Sequence, residues 1–532
     1  MDDRAEVLIV GGGIIGTSLA WALAERGARG VTVIDLDLAG VYASSELNAG
    51  GARATWWQRV NIEACRATLD FFAEHADEFG FRPRGYLWLY ADRALHAQAL
   101  DKRALQNSYG LGVESLAVAE VAERFPLLDR ALDELVGATF SPRDGLVNPN
   151  AVRAWFRREA EARGVRFLNR HYVAGVETRR VAGAGGSLRR ISALHVVEVA
   201  RRGVLEDAER VREILVSHRV PDADRRGESR IACEVVVNCL GAWSPIFSAK
   251  VGVTDVTEPV RRQICLVDVH ASDLAPGAAL DTLGMIVDAS DLYFHPEGSH
   301  VLAGYSIPDE GSGFDFDYDG ESFFETHIWP RLAHRMSSFE RCGHVRGWSG
   351  LYEVTPDRSG IAGAVPGFAN FFEAHAFTGR GVMQSYAVGQ AMAERIDTGR
   401  FGEIDLAPLD RARFVDRVME KVVASPRPWI RPLAPPLPWW AQAAAEPGAV
   451  LACALTALLL LRPNAFSELP RYLSDRWSLL LWPAIGEARA FLGLDRPAIA
   501  MGFGLLGLFL LAWISFHLYR WTERLARRSG RI

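Results

Sequence analysis

A glycine-rich turn between two apolar segments near the N-terminus constrains the fold more than any other feature of this sequence. The apolar run at 7–10 predicts a buried strand, an Ala- and Leu-rich helix continues to about Arg26, and residues 31–34 predict a second buried strand. The turn carries the G-x-G-x-x-G spacing at Gly11, Gly13 and Gly16. Strand, glycines, helix and strand in this order predict a dinucleotide-binding unit, with a glycine-rich turn in an ordinary α/β core as the alternative.

Each glycine of this turn has its own physical role in such a unit. The first permits the tight turn, the second lets the backbone approach a pyrophosphate, and the third allows close packing of helix on strand. The phosphates then lie at the positive N-terminal end of the helix. Asp35 follows the second strand, where its carboxylate can accept hydrogen bonds from a ribose diol. The predicted contacts in this unit are Gly11, Gly13, Ile14, Ile15, Gly16, Asp35 and Leu36.

Two later segments indicate which dinucleotide is bound. Residues 234–244 predict a further buried strand that breaks into a Gly-Ala-Trp turn, as in many FAD enzymes. Residues 371–374 predict a strand, 378–381 a glycine turn and 384–396 a helix whose free amides would face the carbonyl edge of a flavin. A nicotinamide dehydrogenase has no need of this late turn, so the sequence predicts FAD. The predicted contacts here are Gly241, Ala242, Trp243, Gly379, Arg380, Gly381, Val382 and Met383.

These motifs, together with SSELNAGGAR at 44–53 and TPDRSGIAG at 355–363, resemble the D-amino-acid oxidase superfamily. The superfamily includes glycine oxidase, monomeric sarcosine oxidase and dimethylglycine dehydrogenase, and the resemblance covers about residues 5 to 415. Shorter phrases are most similar to its branch of mitochondrial FAD-dependent oxidoreductase domain-containing proteins linked to assembly of respiratory complex I. Those phrases lie at 327–340, 348–352 and 399–414.

The resemblance implies an α/β fold in which a Rossmann-like FAD domain of the glutathione-reductase type is interleaved with an antiparallel β-sheet substrate domain. The FAD domain is expected at 1–80, 145–260 and 345–415. The substrate domain is expected at 81–144 and 261–344, where alternating apolar patterns and turn residues also indicate strands and hairpins.

The first glycine-rich loop supplies further expected cofactor contacts. Ser44 and Ser45 follow the second strand, where a pyrophosphate needs hydrogen-bond donors, and Val173 would meet the adenine through its backbone. Relatives attach the flavin to a cysteine or a histidine, but the matching positions hold Gly350 and the segment 48–51, so the resemblance implies non-covalent FAD. The residues concerned are Asn48, Ala49, Gly50, Gly51, Gly350 and Arg53, the last of which matches an arginine beside the flavin.

Several substrate-binding positions of the relatives are replaced in this sequence. Met383 and Trp56 stand where a lysine and an arginine hold the substrate carboxylate in relatives. Leu302 stands near the lysine that activates oxygen, and Ser306 near a pocket histidine. The resemblance therefore implies a substrate unlike sarcosine and an electron acceptor other than oxygen.

Tyr352 and Arg380 are the predicted catalytic residues. Tyr352 matches a pocket tyrosine of the relatives, with a core tyrosine as the alternative. Arg380 would stabilise anionic reduced flavin or hold an acidic substrate, with a surface arginine as the alternative. Further pocket candidates on the expected substrate sheet are Tyr293, His295 and Tyr305.

Composition limits the partners and metals. A net charge of −6 over 532 residues is mild, so nucleic-acid binding is not predicted. The six cysteines have no metal-binding spacing, and the acidic stretch 309–321 misses the EF-hand pattern, so no metal is predicted.

The C-terminal region is expected to anchor the protein in a membrane. A Pro-rich linker at 416–440 precedes two apolar segments, 441–461 and 498–518, and about 20 apolar residues span a bilayer. The arginines of 520–532 then place the C-terminus and the FAD domain on the cytoplasmic side of a bacterial inner membrane. Burial of these helices in a soluble dimer interface is the alternative.

Two function classes follow. The first is a membrane-anchored FAD-dependent oxidoreductase that oxidises a C–N bond of an amine or amino-acid-like substrate by hydride transfer to flavin N5. Its electrons would pass to a quinone or a respiratory-chain protein rather than to oxygen. The second is a flavoprotein that acts mainly in assembly of a respiratory membrane complex.

Overall fold

Two eight-stranded β-sheets, a two-stranded sheet and the helices packed on them make up the part of the chain that the structure describes. The computed structural model describes residues 3–183, 186–270, 273–274 and 279–414. The chain separates into two compact units, Met1–Arg431 and Pro432–Ile532, and every described residue belongs to the first.

The strands and helices of the described residues have the following bounds in chain order. The strands are β1 Asp3–Val10, β2 Val31–Asp35, β3 Gly51–Ala52, β4 Tyr86–Tyr90, β5 Glu114–Leu116, β6 Gly137–Ser141, β7 Gly145–Leu146, β8 Arg166–Asn169, β9 His171–Gly183, β10 Gly186–Val199, β11 Arg225–Asn238, β12 Glu258–Asp268, β13 Met285–Val287, β14 Leu292–Glu297, β15 His300–Tyr305, β16 Gly343–Val354, β17 Ile361–Ala364 and β18 Phe371–His375. The helices are α1 Ile14–Glu25, α2 Arg59–Glu74, α3 Ala76–Phe79, α4 Arg93–Ser108, α5 Val118–Arg124, α6 Pro149–Ala162, α7 Val204–Ser217, α8 Ser244–Lys250, α9 Glu321–Phe323, α10 Trp329–Arg335 and α11 Gly381–Thr398.

The first large sheet has the strand order β17-β18-β11-β1-β2-β8, and β10 and β9 extend it from β11. β1 runs parallel to β2 and β11, and β18 runs parallel to β11. Its inner strands are continuous Val, Ile and Leu runs because both faces of a parallel sheet are covered. Leu8 and Ile9 are fully buried on opposite faces, and Ile9 contacts a core formed with α1, α2, α6 and α11.

The predicted N-terminal unit is confirmed element by element. β1, α1 and β2 follow one another as predicted, and Gly27 ends α1 in the left-handed conformation with a φ of +86°. The late strand and helix are also present as β18 and α11. α11 begins at Gly381, earlier than predicted, because the end of the glycine turn forms its first turn.

The second large sheet has the strand order β16-β12-β15-β14-β13-β4-β6-β5. Its long edge strand β16 pairs antiparallel with the neighbouring strand β12, which sets Arg262 opposite Gly350 and Val260 opposite Tyr352. A separate aromatic and aliphatic core, which includes Phe294 and Phe339, lies on this sheet. The boundaries between the FAD and substrate domains stay a prediction, because the contacts divide the chain only after residue 431.

The predicted fold class is corrected at its C-terminal end. In the part of the chain that the structure describes, no helix has both the length and the apolarity needed to cross a membrane. The linker at 416–440 and the segments 441–461 and 498–518 lie outside the described residues. The predicted transmembrane hairpin therefore has no support in the structure. The location at a bacterial inner membrane, which depended on that hairpin, stays a prediction.

Candidate active site

A cavity of about 820 Å³ brings together predicted site residues that are far apart in the sequence. Its wall includes the glycine loop after β1, the segment between β2 and β3, the turn after β11, the end of β16 and the start of α11. The predicted residues that line it are Gly11, Gly13, Ile14, Ile15, Asp35, Ser44, Ser45, Asn48, Ala49, Gly51, Arg53, Gly241, Ala242, Trp243, Gly350, Tyr352, Gly379, Arg380, Gly381, Val382 and Met383.

Four predicted cofactor residues do not line this cavity. Leu36 and Val173 line a smaller neighbouring cavity of about 60 Å³, which shares Asp35 with the large one. Gly16 and Gly50 instead pack against backbone, because a Cβ at Gly50 would lie 2.6 Å from the carbonyl oxygen of Val147. These two glycines therefore shape the site without facing it.

Two glycines of the N-terminal loop have no room for a side chain. Gly11 has a φ of +109°, and a Cβ there would lie 2.4 Å from the carbonyl oxygen of Cys239. A Cβ on Gly16 would lie 1.9 Å from the carbonyl oxygen of Gly11. Gly13 differs, since the nearest atom to its Cβ would be Ser45 Oγ at 3.9 Å, and the residue faces open space in the cavity. These are the three roles that a pyrophosphate-binding turn requires.

Ser45 lies in the segment between β2 and β3 and places an unsatisfied hydroxyl beside the N-terminal glycine loop. Its side chain is buried, and its Oγ has no hydrogen-bond partner among the described residues. A buried hydroxyl without a partner costs free energy unless a ligand satisfies it. The position of Ser45 beside Gly13, next to the N-terminus of α1, suits a pyrophosphate oxygen.

The other polar residues of the loop are held by the protein itself. The Asp35 carboxylate accepts hydrogen bonds from the amides of Gly12 at 2.5 Å and Asp37 at 2.7 Å, while burial raises its pKa. Ser44 donates its hydroxyl hydrogen to the carbonyl oxygen of Leu351 at 2.7 Å, so it ties the loop to β16. Asn48 accepts the amide of Gly50 at 2.7 Å and forms a local turn.

The late turn before α11 is held in an unusual backbone conformation. Ala376, Thr378 and Gly379 have φ values of +64°, +50° and +77°. Residues other than glycine adopt this conformation only where their surroundings impose it. Glu353 does so here, because its carboxylate accepts the amide of Ala376 at 2.9 Å and its carbonyl accepts the amide of Thr378 at 3.2 Å. A Cβ on Gly379 would lie 2.6 Å from the ring of Tyr352, so only glycine fits there.

Arg53 and Arg380 both stack on Trp56. Their guanidinium carbons lie 3.5 and 4.1 Å from the centre of the Trp56 ring. Each guanidinium donates a hydrogen bond from one nitrogen to a backbone carbonyl oxygen, Arg53 to that of Thr55 and Arg380 to that of Arg358. Burial and, to a smaller extent, the charge of Arg53 lower the pKa of Arg380 to about 10. Two cations on one aromatic ring make this wall suited to binding an anion.

Arg262 is a residue that sequence reasoning missed. Its guanidinium carbon lies 5.5 Å from the centre of the Tyr352 ring, and it lines the cavity. Its Nη1 donates to the carbonyl oxygen of Arg261 at 2.8 Å, and its Nε is buried without a partner among the described residues. Burial raises the pKa of the Tyr352 phenol, and Arg262 and Arg53 oppose this shift. The only sequence signal was the pair of adjacent arginines, Arg261 and Arg262, within strand β12.

The three pocket candidates on the second sheet lie in different surroundings. Tyr293 lines the cavity, and burial raises its pKa well above the ordinary value. His295 is buried beneath the loop, where its ring nitrogens lie 2.7 Å from the carbonyl oxygen of Ala49 and 2.9 Å from that of Pro296. Tyr305 does not line the cavity, because it stacks on another residue, His327, at a centroid distance of 5.3 Å.

A buried ionic cluster adjoins the cavity and consists of Asp255, Glu373, His375 and Arg411, of which His375 also lines the cavity. Arg411 Nη2 lies 2.9 Å from the Asp255 carboxylate and 2.6 Å from that of Glu373. Burial opposes every charge here, but the opposite charges prevail, so the pKa values of Asp255 and Glu373 are lowered and that of His375 is raised. The two carboxylates among the three metal-type ligands already have Arg411 as their counter-ion, so we assign the cluster a structural role.

The residues present fit an FAD molecule. Gly13 and Ser45 would hold its pyrophosphate, Asp35 its ribose, and Leu36 and Val173 its adenine. The loop 48–51, the end of β16 and the late turn would enclose the flavin ring. The arginine and tyrosine side chains then remain for a substrate beside it.

Comparisons with known proteins agree with this geometry. The family model described as DAO, FAD dependent oxidoreductase, matches residues 6–395. FAD-dependent oxidoreductase domain-containing protein 1 of Xenopus laevis is 28% identical over 445 residues, which cover 77% of this chain and 83% of that protein. Glycine oxidase of Geobacillus kaustophilus (strain HTA426) is 24% identical over 428 residues, which cover 79% of this chain and 99% of that protein.

A solved structure shares the fold. L-proline dehydrogenase from P. horikoshii has a TM-score of 0.63 at 22% identity, and the match covers 78% of this chain and 98% of that one. The family match confirms the predicted resemblance, the predicted oxidoreductase class and FAD as the cofactor. This chain belongs to the DAO family of FAD-dependent oxidoreductases.

Proposed function

We propose that the protein is a dehydrogenase that oxidises a C–N bond of a carboxylate-bearing amine or amino-acid-like substrate. The observation that carries this proposal is one cavity that joins a dinucleotide-type glycine loop to a compartment walled by arginine and tyrosine. The names of two similar proteins, glycine oxidase and L-proline dehydrogenase, support chemistry at a C–N bond.

Arg53 and Arg380 bind the substrate carboxylate in this proposal. Each guanidinium has five N–H donors and uses one nitrogen on a backbone carbonyl, which leaves donors for a bidentate contact. Trp56 lies against both groups, fixes them in place and excludes water from one side. Bound FAD supplies the hydride acceptor. The substrate C–H bond must then point at the flavin in a dry compartment.

The same charges set the protonation state of the substrate amine. An ammonium group in this compartment would lie near the cations of Arg53, Arg262 and Arg380, and nearby like charges disfavour the charged form. We therefore expect the substrate to bind as the neutral amine, with its proton left in solvent. Tyr352 stays a neutral phenol because burial raises its pKa, so it serves the amine nitrogen as a hydrogen-bond partner.

We propose a quinone or an electron-carrier protein, rather than oxygen, as the electron acceptor. The position near the oxygen-activating lysine of relatives is Leu302, an apolar residue that is 4% exposed on β15. An apolar side chain offers no stabilisation to the negative charge that develops on oxygen. Rapid mixing of the reduced protein with air-saturated buffer or with a soluble quinone analogue tests this. Faster reoxidation by oxygen would exclude the proposed acceptor.

The amine-oxidation proposal is tested by anaerobic mixing with a panel of primary and secondary amines while the flavin absorbance is followed. We expect at least one carboxylate-bearing amine to bleach the flavin, and its uncharged amide to bleach it at a much lower rate. The Arg346→Met variant is a matched control, since Arg346 is an exposed arginine on β16 outside the cavity. Flavin that stays oxidised across the panel, in a protein that co-purifies with a membrane complex, would favour the assembly role instead.

A further inference from the structure

We propose that the cavity takes a substrate with two anionic groups, such as a dicarboxylic amine, and that Arg262 binds the second group. This inference rests on the proposed function, which assigns one carboxylate to Arg53 and Arg380. It names the substrate class and a specificity residue that the family resemblance does not supply.

The first argument is that three of the four arginines that line the cavity have no carboxylate partner among the described residues, while the fourth, Arg358, is exposed. Arg53, Arg262 and Arg380 each bond only to a backbone carbonyl oxygen. The Nε atoms of Arg262 and Arg380 are buried and unpartnered, and Arg380 is 2% exposed. Other buried arginines are paired, as Arg335 is with Asp288 at 2.7 Å. Arg53 and Arg262 are half-buried. Cations withdrawn from water without counter-ions are costly, so these three are retained for a ligand.

The second argument is that the acids of the cavity do not neutralise them. Asp35 and Glu353 accept hydrogen bonds from backbone amides. Glu310 pairs with Arg261 at 2.8 Å. Asp291 and Asp309 are exposed. The acids that line the cavity are Asp35, Asp291, Asp309, Glu310 and Glu353.

Asp144, which lies close enough to Arg53 to affect its pKa, also fails as a counter-ion. Its two oxygens accept hydrogen bonds from the amide of Ala54 at 2.8 Å and the hydroxyl of Thr55 at 2.9 Å. Burial raises the pKa of Asp144 to about 6. Asp144 is therefore mostly ionised at pH 7, but both of its oxygens are already occupied and it forms no direct ion pair with Arg53.

The third argument is that the arginines form two separate contacts with the aromatic wall. Arg53 and Arg380 stack on Trp56, whereas Arg262 comes from the sheet strand β12 and lies over Tyr352. All three are close enough to Tyr352 to lower its pKa against burial, so they face one compartment. A single carboxylate would leave one of these two contacts unsatisfied. A substrate with a carboxylate at each end satisfies both.

Binding of non-oxidisable acids tests the inference on the full-length protein with its bound FAD. The probes are the chain-matched pairs succinate with butyrate and glutarate with valerate, and the readouts are the flavin absorbance and tryptophan fluorescence. We expect at least one dicarboxylate to bind about tenfold or more tightly than its matched monocarboxylate, with the difference reduced by added salt. Equal or weaker dicarboxylate binding, or no binding of either kind of acid, would overturn the inference.

The Arg262→Gln variant tests the assigned residue. We expect its dicarboxylate affinity to fall to that of the monocarboxylate, while monocarboxylate affinity is unchanged. Arg346→Gln, at an exposed position on β16, should keep the wild-type preference. A preference that survives in Arg262→Gln would overturn the role of Arg262. If that variant does not retain FAD, Arg262→Lys keeps the positive charge, and its expected preference is intermediate between wild type and none.

The two proposals fail in different ways. Ligand binding is measured without turnover, so dicarboxylate preference in a protein that no amine reduces would refute the proposed function alone. Reduction by monocarboxylic amines without any dicarboxylate preference would refute the second-anion site alone.

Discussion

The carboxylate of Glu353 accepts the amide hydrogen of Ala376 across 2.9 Å, and this contact holds the start of the late turn in place. Ala376 has a φ of +64°, a conformation that an alanine adopts only under constraint. Glu353 neighbours Tyr352 on β16, so one strand supplies both a wall of the cavity and the restraint on the turn.

Glu353→Ala should therefore loosen the late turn. Loss of the Glu353 carboxylate leaves the buried amides that it accepts without a partner. We expect this to reduce the free energy of unfolding by about 1–3 kcal/mol and to weaken FAD binding. Glu353→Gln keeps an oxygen acceptor and removes a buried charge, so its loss should be below about 1 kcal/mol. Chemical denaturation and FAD titration measure both effects. Equal losses in the two variants would contradict this account.

The glycine loop predicts a contrast between two substitutions of similar size. Gly16→Ala should prevent stable folding, because the new Cβ would lie 1.9 Å from the carbonyl oxygen of Gly11. Gly13→Ala should fold, because its Cβ has 3.9 Å of clearance, but it should lose FAD affinity since the methyl group occupies the approach to the pyrophosphate. Circular dichroism and flavin content measure the two properties. A Gly13→Ala protein with normal flavin content would show that the pyrophosphate does not bind there.

The buried ionic cluster predicts a pH dependence of stability. Burial lowers the pKa of His375, but Asp255 and Glu373 outweigh it and raise that pKa. Stabilisation by protonated His375 is then complete below about 6.5, the ordinary histidine pKa, and is lost as the pH rises through the higher folded-state value. We expect the free energy of unfolding to fall as the pH rises above 6.5.

His375→Gln tests this directly. The variant should be less stable than wild type at pH 6.5 and should show a flatter profile above that pH. Asp144, with a pKa of about 6, titrates mainly below this window and is common to both proteins. Denaturation at several pH values between about 6.5 and 8.5 gives the comparison. Parallel profiles would show that folding does not raise the pKa of His375.

Arg380→Met should weaken binding of a carboxylate. Removal of one charge-assisted contact is worth about 1.5–3 kcal/mol, so the dissociation constant for valerate should rise about 10- to 100-fold. Binding of the uncharged valeramide should change little, because it does not depend on the guanidinium charge. Flavin content, measured in parallel, shows whether the late turn still holds FAD. An unchanged valerate affinity with full flavin content would remove Arg380 from the carboxylate site.

Acid precipitation should release the flavin intact. The position of the flavin-linking cysteine in relatives is Gly350, which packs 3.1 Å from Leu47 when a Cβ is placed on it. Cys239 is a thiol that lines the cavity, but burial raises its pKa far above the ordinary value and keeps it protonated and unreactive. Flavin absorbance in the pellet rather than in the supernatant would mean a covalent link.

Local sequence pattern was sufficient for the dinucleotide unit. The roles of Gly11, Gly13 and Gly16 follow from their spacing after β1, and the flanking elements formed where the pattern predicted. Tyr352 and Arg380 could be proposed because they lie within motifs of the family. The site assignments themselves stay predictions until a bound ligand is observed.

Contacts between residues that are far apart in the chain could not be predicted from the sequence. Arg262 enters the cavity only because β12 pairs with β16 in a register that sets it opposite Gly350. Trp56 could be recognised only as the replacement of an arginine, since its contact with Arg380 joins distant parts of the chain. Apolar length, together with the arginines of 520–532, suggested the C-terminal hairpin, and that part of the predicted fold class is wrong.

The unsatisfied hydroxyl of Ser45 has a consequence for the life of the protein in a cell. A chain without bound nucleotide carries a buried polar atom with no hydrogen-bond partner beside the glycine backbone. Binding of the nucleotide shifts the folding equilibrium toward the folded state by mass action. Newly made copies without it should be the first to be degraded. We therefore expect the abundance of this protein to rise and fall with the vitamin supply from which its cofactor is made.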